Sequence, residues 1–598
     1  MFPQPNWLRV LKEKIDKTKV LGLLSTAYAE LDIWNGIKYK FQAGIDLNSR
    51  NARTFSSSLV GGDAYSAPPQ KAVGTFDAGF HYSWNVENML MYNKTFAEHS
   101  VDALFGYSAQ MYTWEGNSLY GTDFPDDDIT WIDAAATKDG GSSMQQWSLV
   151  SLIGRLNYSF KDRYLLQATI RRDGCSRFGP GNKYASFPSV SAGWIISDES
   201  FMERFTSVMN YLKLRLSYGT TGNYNIGNYS YLANVGSSTF VMGGSLAPGK
   251  SLSGIGNNKL TWEETKQFDL GVDFSFLNDR IFVMYDYYRK KTDGMLYQID
   301  IPAATGYWNI QSNMGDFESW GHEITVSSKN LVNDFKWNTN FNISFNRNKV
   351  LRLGTNDTPV GGYEDRADFN RLQVGQPIGV FMGYVFDGVY MTQEEFDSQP
   401  KHATSDVGTV RMKDLDGNNV IDNRDRTIIG NPNPDFIFGL TNEFAYKNFD
   451  LSIHLAGSIG GDVMLWAREN HDNIDGVFNV YKDVANRWRS PENPGDGRVP
   501  RTKTGTTGLF FMTHSDWVYD GSYLAIKNIT LGYTIPFKVN PYVSKVRFYL
   551  TGQQLAVFSS YPGMNPEVSS GLNWNGLGVD QTSYPIPRTF SLGCNITF

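Results

Sequence analysis

The stretch DLDGNNVIDNRD, residues 414–425, sets oxygen donors at the spacing of a twelve-residue cation loop. Asp414, Asp416 and Asn418 fall at positions 1, 3 and 5. Val420 offers its carbonyl at 7, Asp422 stands at 9 and Asp425 at 12. Hard oxygens in a flexible geometry suit Ca²⁺, so Ca²⁺ is the ion to expect, in a structural role that staples its loop. Ile421, at position 8, is expected to pin the loop to a core. Two features depart from the pattern. Asn419 replaces the turn glycine, although asparagine tolerates left-handed backbone, and Asp425 is shorter than the usual bidentate Glu. The competing reading is a solvated turn rich in Asp and Asn.

Other chemistry is harder to sustain. GSLAPGKS (244–251) fits a phosphate-loop pattern, but no helix follows it and Pro248 removes an amide from any cradle. The seven histidines are scattered, with no His pair at metal-ligand spacing, and His454 reads as polar lining. Glu263-Glu264 and Glu394-Glu395 lack a catalytic setting. No nucleophile–His–carboxylate set is legible, so no enzyme and no organic cofactor is expected. Tyr307, Trp308, Trp466, Trp517 and Trp574 lie in or beside long loops, where rings stack on sugars or pack peptides. Holding the loops together is the simpler role for each.

The elements that must carry these residues are strands. Of the 598 residues 14% are aromatic, with 33 Tyr, 38 Phe and 58 Gly, which favours an all-β chain with many turns. Mean hydropathy is -0.37 and no apolar run is long enough for a membrane helix. A transmembrane β-barrel remains open, because its strands show lipid only every second residue. A net charge of -7 argues against nucleic acid as a partner. Cys175, read as a loop residue, and Cys594, on the last strand, form no disulfide framework.

KEKIDKTKVLGLLSTAYA near the start has the outline of a secretory signal, but its apolar core is short and broken. It reads better as the first strand of a hairpin turning at Trp34-Asn35-Gly36. Further hairpins are expected at Asn93-Lys94-Thr95, Lys161-Asp162-Arg163, Asn278-Asp279-Arg280 and Lys447-Asn448. Between them lie long segments, roughly 48–79, 110–148, 222–261, 292–318, 348–435, 460–520 and 557–587. Short turns alternating with long loops put nearly all the length at one end of the strands, as in outer-membrane barrels. Parity then makes 348–435 one large folded extracellular loop and keeps 376–390 out of the membrane, and ESFMERFTSVMNYL (199–212) reads as a short helix or an irregular periplasmic connection. Parity gives about 17 spanning strands, the first and last running the same way, so further strands are expected upstream. The last strand, TFSLGCNITF, puts Phe590, Leu592, Cys594, Ile596 and Phe598 on one face, expected to meet lipid.

GRLNYSFKDRYLLQATIRRDGCSRFGPGNKYASFPSVSAGW (154–194) resembles a stretch of the SusC/RagA family of TonB-linked outer-membrane transporters. So do LKLRLSYGTTGN (212–223), DRTIIGNPNPDFIFGLTNEFAYKNFDLSI (425–453), YLAIKNITLGYTIPF (523–537) and YPGMNPEV (561–568). The resemblance implies a 22-stranded antiparallel barrel filled by an N-terminal plug, of which residues 1–598 would supply the barrel portion without the plug. It also implies a SusD-like surface lipoprotein as partner and energy from TonB-ExbB-ExbD through an N-terminal box with no counterpart here. Uptake of a large nutrient, glycan or oligopeptide, across the outer membrane is the expected function. The alternatives are an outer-membrane barrel enzyme of the phospholipase or protease type, or a siderophore or vitamin receptor.

Overall fold

The alternation becomes strand almost everywhere. A computed structural model describes residues 6–62, 66–354, 357–361, 370–472, 479–501, 512–536, 542–568, 577–581 and 583–598. Seventeen strands form one sheet, and the ladders between sequence neighbours are antiparallel. A short helix, Trp7–Glu13, capped by Asn6, precedes the first strand. The six leading strands are β1 (Lys14–Trp34), β2 (Ile37–Ser56), β3 (Val73–Phe96), β4 (His99–Thr122), β5 (Thr137–Phe160) and β6 (Tyr164–Cys175). The chain divides into two compact units. One comprises Met1–Ala192, Gly219–Glu264 and Leu296–Asn313; the other comprises Gly193–Tyr218, Thr265–Met295 and Met314–Phe598.

Turn chemistry explains the hairpins. Gly36 takes φ +84 between β1 and β2, where an added Cβ would sit 2.6 Å from the Asn93 carbonyl oxygen. Lys161 and Asp162, the run Leu277 to Asp279, and Lys447 are also left-handed, as tight hairpin turns require. One expected turn is displaced. Asn93, Lys94 and Thr95 are still paired in β3, opposite Asp102, Val101 and Ser100, and the chain turns at Ala97, φ +52. The Asn-Lys-Thr polarity marks the wet end of a strand, and the bend comes only where Phe96 meets His99.

The strands also run further than expected. β3, β4 and β5 are 24 residues each, so the segment read as a loop over 110–148 is mostly ladder, with its connection at 123–136. Beyond the greasy stretch their residues turn polar and small, but backbone pairing continues. The 292–318 segment likewise resolves into strands Ile281–Asp300 and Asn309–Val332 with a short link. Cys175 closes β6 and is buried, 1% exposed, rather than lying in a loop.

The two faces of β2–β6 differ in kind. Ile45, Trp84, Leu90, Phe105, Tyr107, Leu152, Leu166 and Ile170 share one face by register and are all exposed. So wide an apolar surface needs a cover, and lipid is the cover a strand wall takes. The opposite face carries His81, Glu87, Asp102, Arg155 and Arg171. There Arg155 and Asn157 bond Asp102, and Arg171 pairs with Asp173 at 2.7 Å. Polar groups thus find partners on one side while apolar groups face outward on the other.

In the second unit the long segments fold together. Residues 376–390 hold two short strands, Val380–Gly383 and Phe386–Val389, in small sheets of their own, so they are not part of the seventeen-stranded sheet. The 348–435 segment does not keep its core to itself. Phe381, Tyr384, Val410, Met412 and Ile421 share one core with Met464, Trp466, Met512, Trp517 and Val579. Strands of three to five residues cannot bury a core alone, so segments distant in sequence complete it. The 199–212 connection is irregular only to residue 208, with single turns at Ile196–Asp198 and Ser200–Met202, and a strand of the large sheet begins at Met209.

Candidate functional site

The acidic loop folds partly as its spacing predicts. Asn419 adopts φ +65, the left-handed conformation expected of the residue replacing glycine, and Gly417 takes φ +74. Ile421, 1% exposed, is buried in the loop core and anchors the loop there. Its amide donates to the Lys401 carbonyl at 3.1 Å. Asp414, Asp416 and Asp425 bring one carboxylate oxygen each within 4.8 Å of one another. Burial pulls the Asp414 pKa up, yet the amides of Asn419 and Gly417 outweigh it and leave it lowered.

Asn418 and Asp422 are engaged within the protein. Asn418 Oδ1 accepts the Val420 amide at 2.7 Å, and the Val420 side chain is half exposed. Asp422 is held by the Arg424 guanidinium and amide, which lower its pKa to about 2. Asp425 is fully buried, and its two oxygens accept the amides of Leu415 and Asp422, each at 2.8 Å. Its short side chain therefore closes a capping box rather than reaching out as a bidentate Glu would. Of the four carboxylates expected as ligands, three converge and Asp422 stands apart.

The loop aromatics separate. Trp517 is 1% and Trp466 7% exposed, both in the shared core, so these rings hold the loops and offer no face to a ligand. Trp308 is 78% exposed beside Tyr307, in the link after a single turn at Ala303–Thr305. Trp574 lies outside the described residues. The phosphate-loop pattern sits in a hairpin, Val235–Met242 with Ser245–Leu252, where Pro248 pairs with Thr239. No strand–loop–helix exists there to hold phosphate. His454 bonds the Thr441 hydroxyl at 2.9 Å, and Glu395 accepts the Met391 amide, a structural duty.

Two groupings escaped the sequence reading. On the polar face of the first unit, His81 stacks on Tyr112, Tyr112 on Trp147, and Trp147 leans on Tyr224, with centroids 5.7, 5.9 and 5.7 Å apart. Arg177 lies 4.8 Å from the Trp147 ring. The strand alternation could have placed the β3 and β4 members on one face; their meeting with Tyr224 needed the fold. In the second unit, Arg468 pairs with Asp472 at 3.1 Å and with Asp483, while Arg498 pairs with Asp516 at 2.6 Å. His514 is enclosed beside them, 2% exposed.

Comparison with known proteins fits this architecture. The family described as TonB dependent receptor-like, beta-barrel matches residues 16–552. TonB-dependent receptor P3 of Formosa agariphila is 33% identical over 98% of this chain and 59% of its own length. TonB-dependent receptor SusC of Bacteroides thetaiotaomicron is 32% identical over 75% of this chain and 44% of its own length. Among solved structures, that of the RagAB peptide transporter superposes with a TM-score of 0.84 at 22% identity, covering 98% of this chain and 63% of that one. The chain thus spans from 44% to 63% of the length of these relatives. A family match that runs through nearly the whole strand framework, over a sheet with one greasy and one polar face, means that the chain belongs to the TonB-dependent receptor-like β-barrel family.

Proposed function

We propose that the chain forms the barrel wall and outer loop layer of a SusC-like, TonB-dependent importer of large nutrients in the outer membrane. The observation that carries this is identity to TonB-dependent receptors along 98% of the chain. The apolar outer face of β2–β6 supports it physically, since it suits lipid and leaves the polar face for solute. A SusD-like surface lipoprotein is the expected lid, and TonB-ExbB-ExbD the energy source. The cargo is an oligosaccharide or an oligopeptide; the structural neighbour is titled a peptide transporter. The test is uptake of labelled oligosaccharides and peptides by cells with and without the gene, and with and without TonB. Uptake lost in both deletions supports the reading, whereas hydrolysis by the purified protein without a partner would replace it with a barrel enzyme.

We also propose that Asp414, Asp416 and Asp425 hold a structural Ca²⁺. Their convergence supports this; the engagement of Asp422 and Asn418 within the protein leaves waters to complete the shell. Calorimetric titration of Ca²⁺ into the chelator-treated protein should give one site that is lost in Asp414→Asn. A titration with no heat would leave the loop an amide-capped turn.

A further inference from the structure

Trp114 stands in β4 with its ring laid on glycine. A Cβ built on Gly116 would come 2.3 Å from Trp114 Cη2 and 2.6 Å from Cζ2, so only glycine lets the indole lie there. Gly79 is paired directly with Gly116, and a Cβ on it would come 3.7 Å from the indole nitrogen. The neighbouring rings His81, Tyr112 and Trp147 stack on one another, but Trp114 touches no other ring and its N–H has no acceptor among the described residues. The ring is partly exposed, which leaves one face of the indole and its N–H open to a solute.

The ring borders an open cleft of about 440 Å³, within the size range of small-ligand pockets. Register puts Asn48, Arg50, Asp77, His81, Ser118 and Ser143 on the same face as the ring. Arg50 and Asp77 make no hydrogen bond or ion pair among the described residues. This is the polar face of the sheet, opposite the apolar one that carries Trp84, Leu90 and Phe105.

We propose that this cleft is a saccharide subsite, with one sugar ring stacked on Trp114 and its hydroxyls bonded by Arg50, Asp77 and Asn48. An aromatic plane flanked by planar amide, carboxylate and guanidinium groups matches a ring with an apolar C–H face and an equatorial rim of hydroxyls. A peptide fits less well. β2, β3 and β4 are paired on both edges along the cleft and β5 there pairs with β4 alone, so an extended chain would find free backbone only at the outer edge of β5, a strand away from the ring. The two signs of charge, Arg50 against Asp77, suit a neutral ligand. The inference rests on the importer reading and selects, within it, glycan over peptide.

The test uses the complete protein, purified in detergent, with maltohexaose, laminarihexaose, xylohexaose, mannohexaose and a tryptic casein digest as probes. Binding is read by saturation-transfer NMR and tryptophan fluorescence. At least one hexasaccharide should bind. Trp114→Ala should weaken it by about tenfold or more, and Gly116→Ala should do the same with the tryptophan still present, because its Cβ tilts the ring. Trp114→Phe should keep most of the affinity, and heat-modified gel migration shows that each variant is folded. The assignment is overturned if no hexasaccharide binds, if Trp114→Ala and Gly116→Ala bind like the parent, or if casein peptides are the probe lost. TonB-dependent uptake that persists unchanged in Trp114→Ala cells would remove the subsite and leave the importer standing. Absence of any TonB-dependent uptake in the parent would remove the importer itself.

Discussion

His514 lies between Phe386 and Trp517, with ring centroids 5.3 and 4.4 Å away, and neither ring nitrogen meets a protein partner among the described residues. Burial, helped by the nearby Arg468 and Arg498, pushes its pKa from 6.5 down to about 3. Burial moves Asp472 the other way, from 3.8 up to about 7, against the pull of Arg468. Folded His514 refuses a proton that the unfolded chain takes, so its share of stability is lost as pH falls from 6.5 toward 3. Folded Asp472 keeps a proton that the unfolded chain releases, so its share is lost as pH rises from about 4 to 7. Each slope is at most about 1.4 kcal/mol per pH unit, and in the shared window they oppose. His514→Phe should therefore melt progressively above the parent as pH drops from 7 to 4.5, and Asp472→Asn progressively below it, by scanning calorimetry. Variants that track the parent at every pH would show that these groups do not titrate on unfolding. None of this was legible from sequence: His514 is one of seven scattered histidines, and its burial depends on segments more than a hundred residues apart. Trp466 and Trp517 do hold the loops together, the simpler role read for them, but sequence could not separate them from Trp308, since they look like any others in long polar segments until the core closes over them.

Strand alternation was legible because period two leaves a local mark on every strand, and tight turns because left-handed residues advertise themselves as Asn, Asp, Lys or Gly. Ala97 advertises nothing, and the β3–β4 turn was misplaced by a few residues for that reason. Strand ends were misjudged too, because a ladder continues past the apolar stretch wherever its neighbour continues. In the closing strand, Thr589–Thr597, the even-numbered residues expected to meet lipid share a face with apolar neighbours. Leu592 pairs with Leu550 and Cys594 with Phe548, and Leu592, Cys594, Ile596 and Phe598 are exposed. A maleimide confined to the lipid phase should label native Cys594 and spare Cys175, 1% exposed. Leu592→Arg should cost about 2–4 kcal/mol of barrel stability if it lies near the bilayer midplane, and Asn595→Arg close to nothing. Urea unfolding in lipid vesicles measures both. Equal costs would mean that the register is reversed, since a one-residue slip exchanges the two faces.

At the scale of the whole chain, strands and loops follow different rules. The seventeen-stranded sheet is a sequence of local pairings, which is why its strand number could be counted from turns. The loop layer of the second unit is assembled from parts that sequence keeps far apart; parity marked 348–435 as one folded loop but gave no sign of its partners beyond residue 460. Met464 is fully buried among residues from the 380s, the 410s, the 510s and Val579. Its amide bonds the Gly578 carbonyl at 2.9 Å, and its strand, Asp462–Leu465, lies between Val518–Asp520 and Val579–Asp580. Removing its side chain leaves a cavity that three segments line at once. Met464→Ala should cost about 2–5 kcal/mol, as Met truncations in packed cores do. Because the segments share that core, the loss should spread. Hydrogen exchange should quicken together at Val410–Met412, at Asp462–Leu465 and at Val518–Asp520, while β3 and β4 keep their protection. Faster exchange confined to Asp462–Leu465 would mean that each loop holds its own shape, and that the 348–435 segment is an independent body after all.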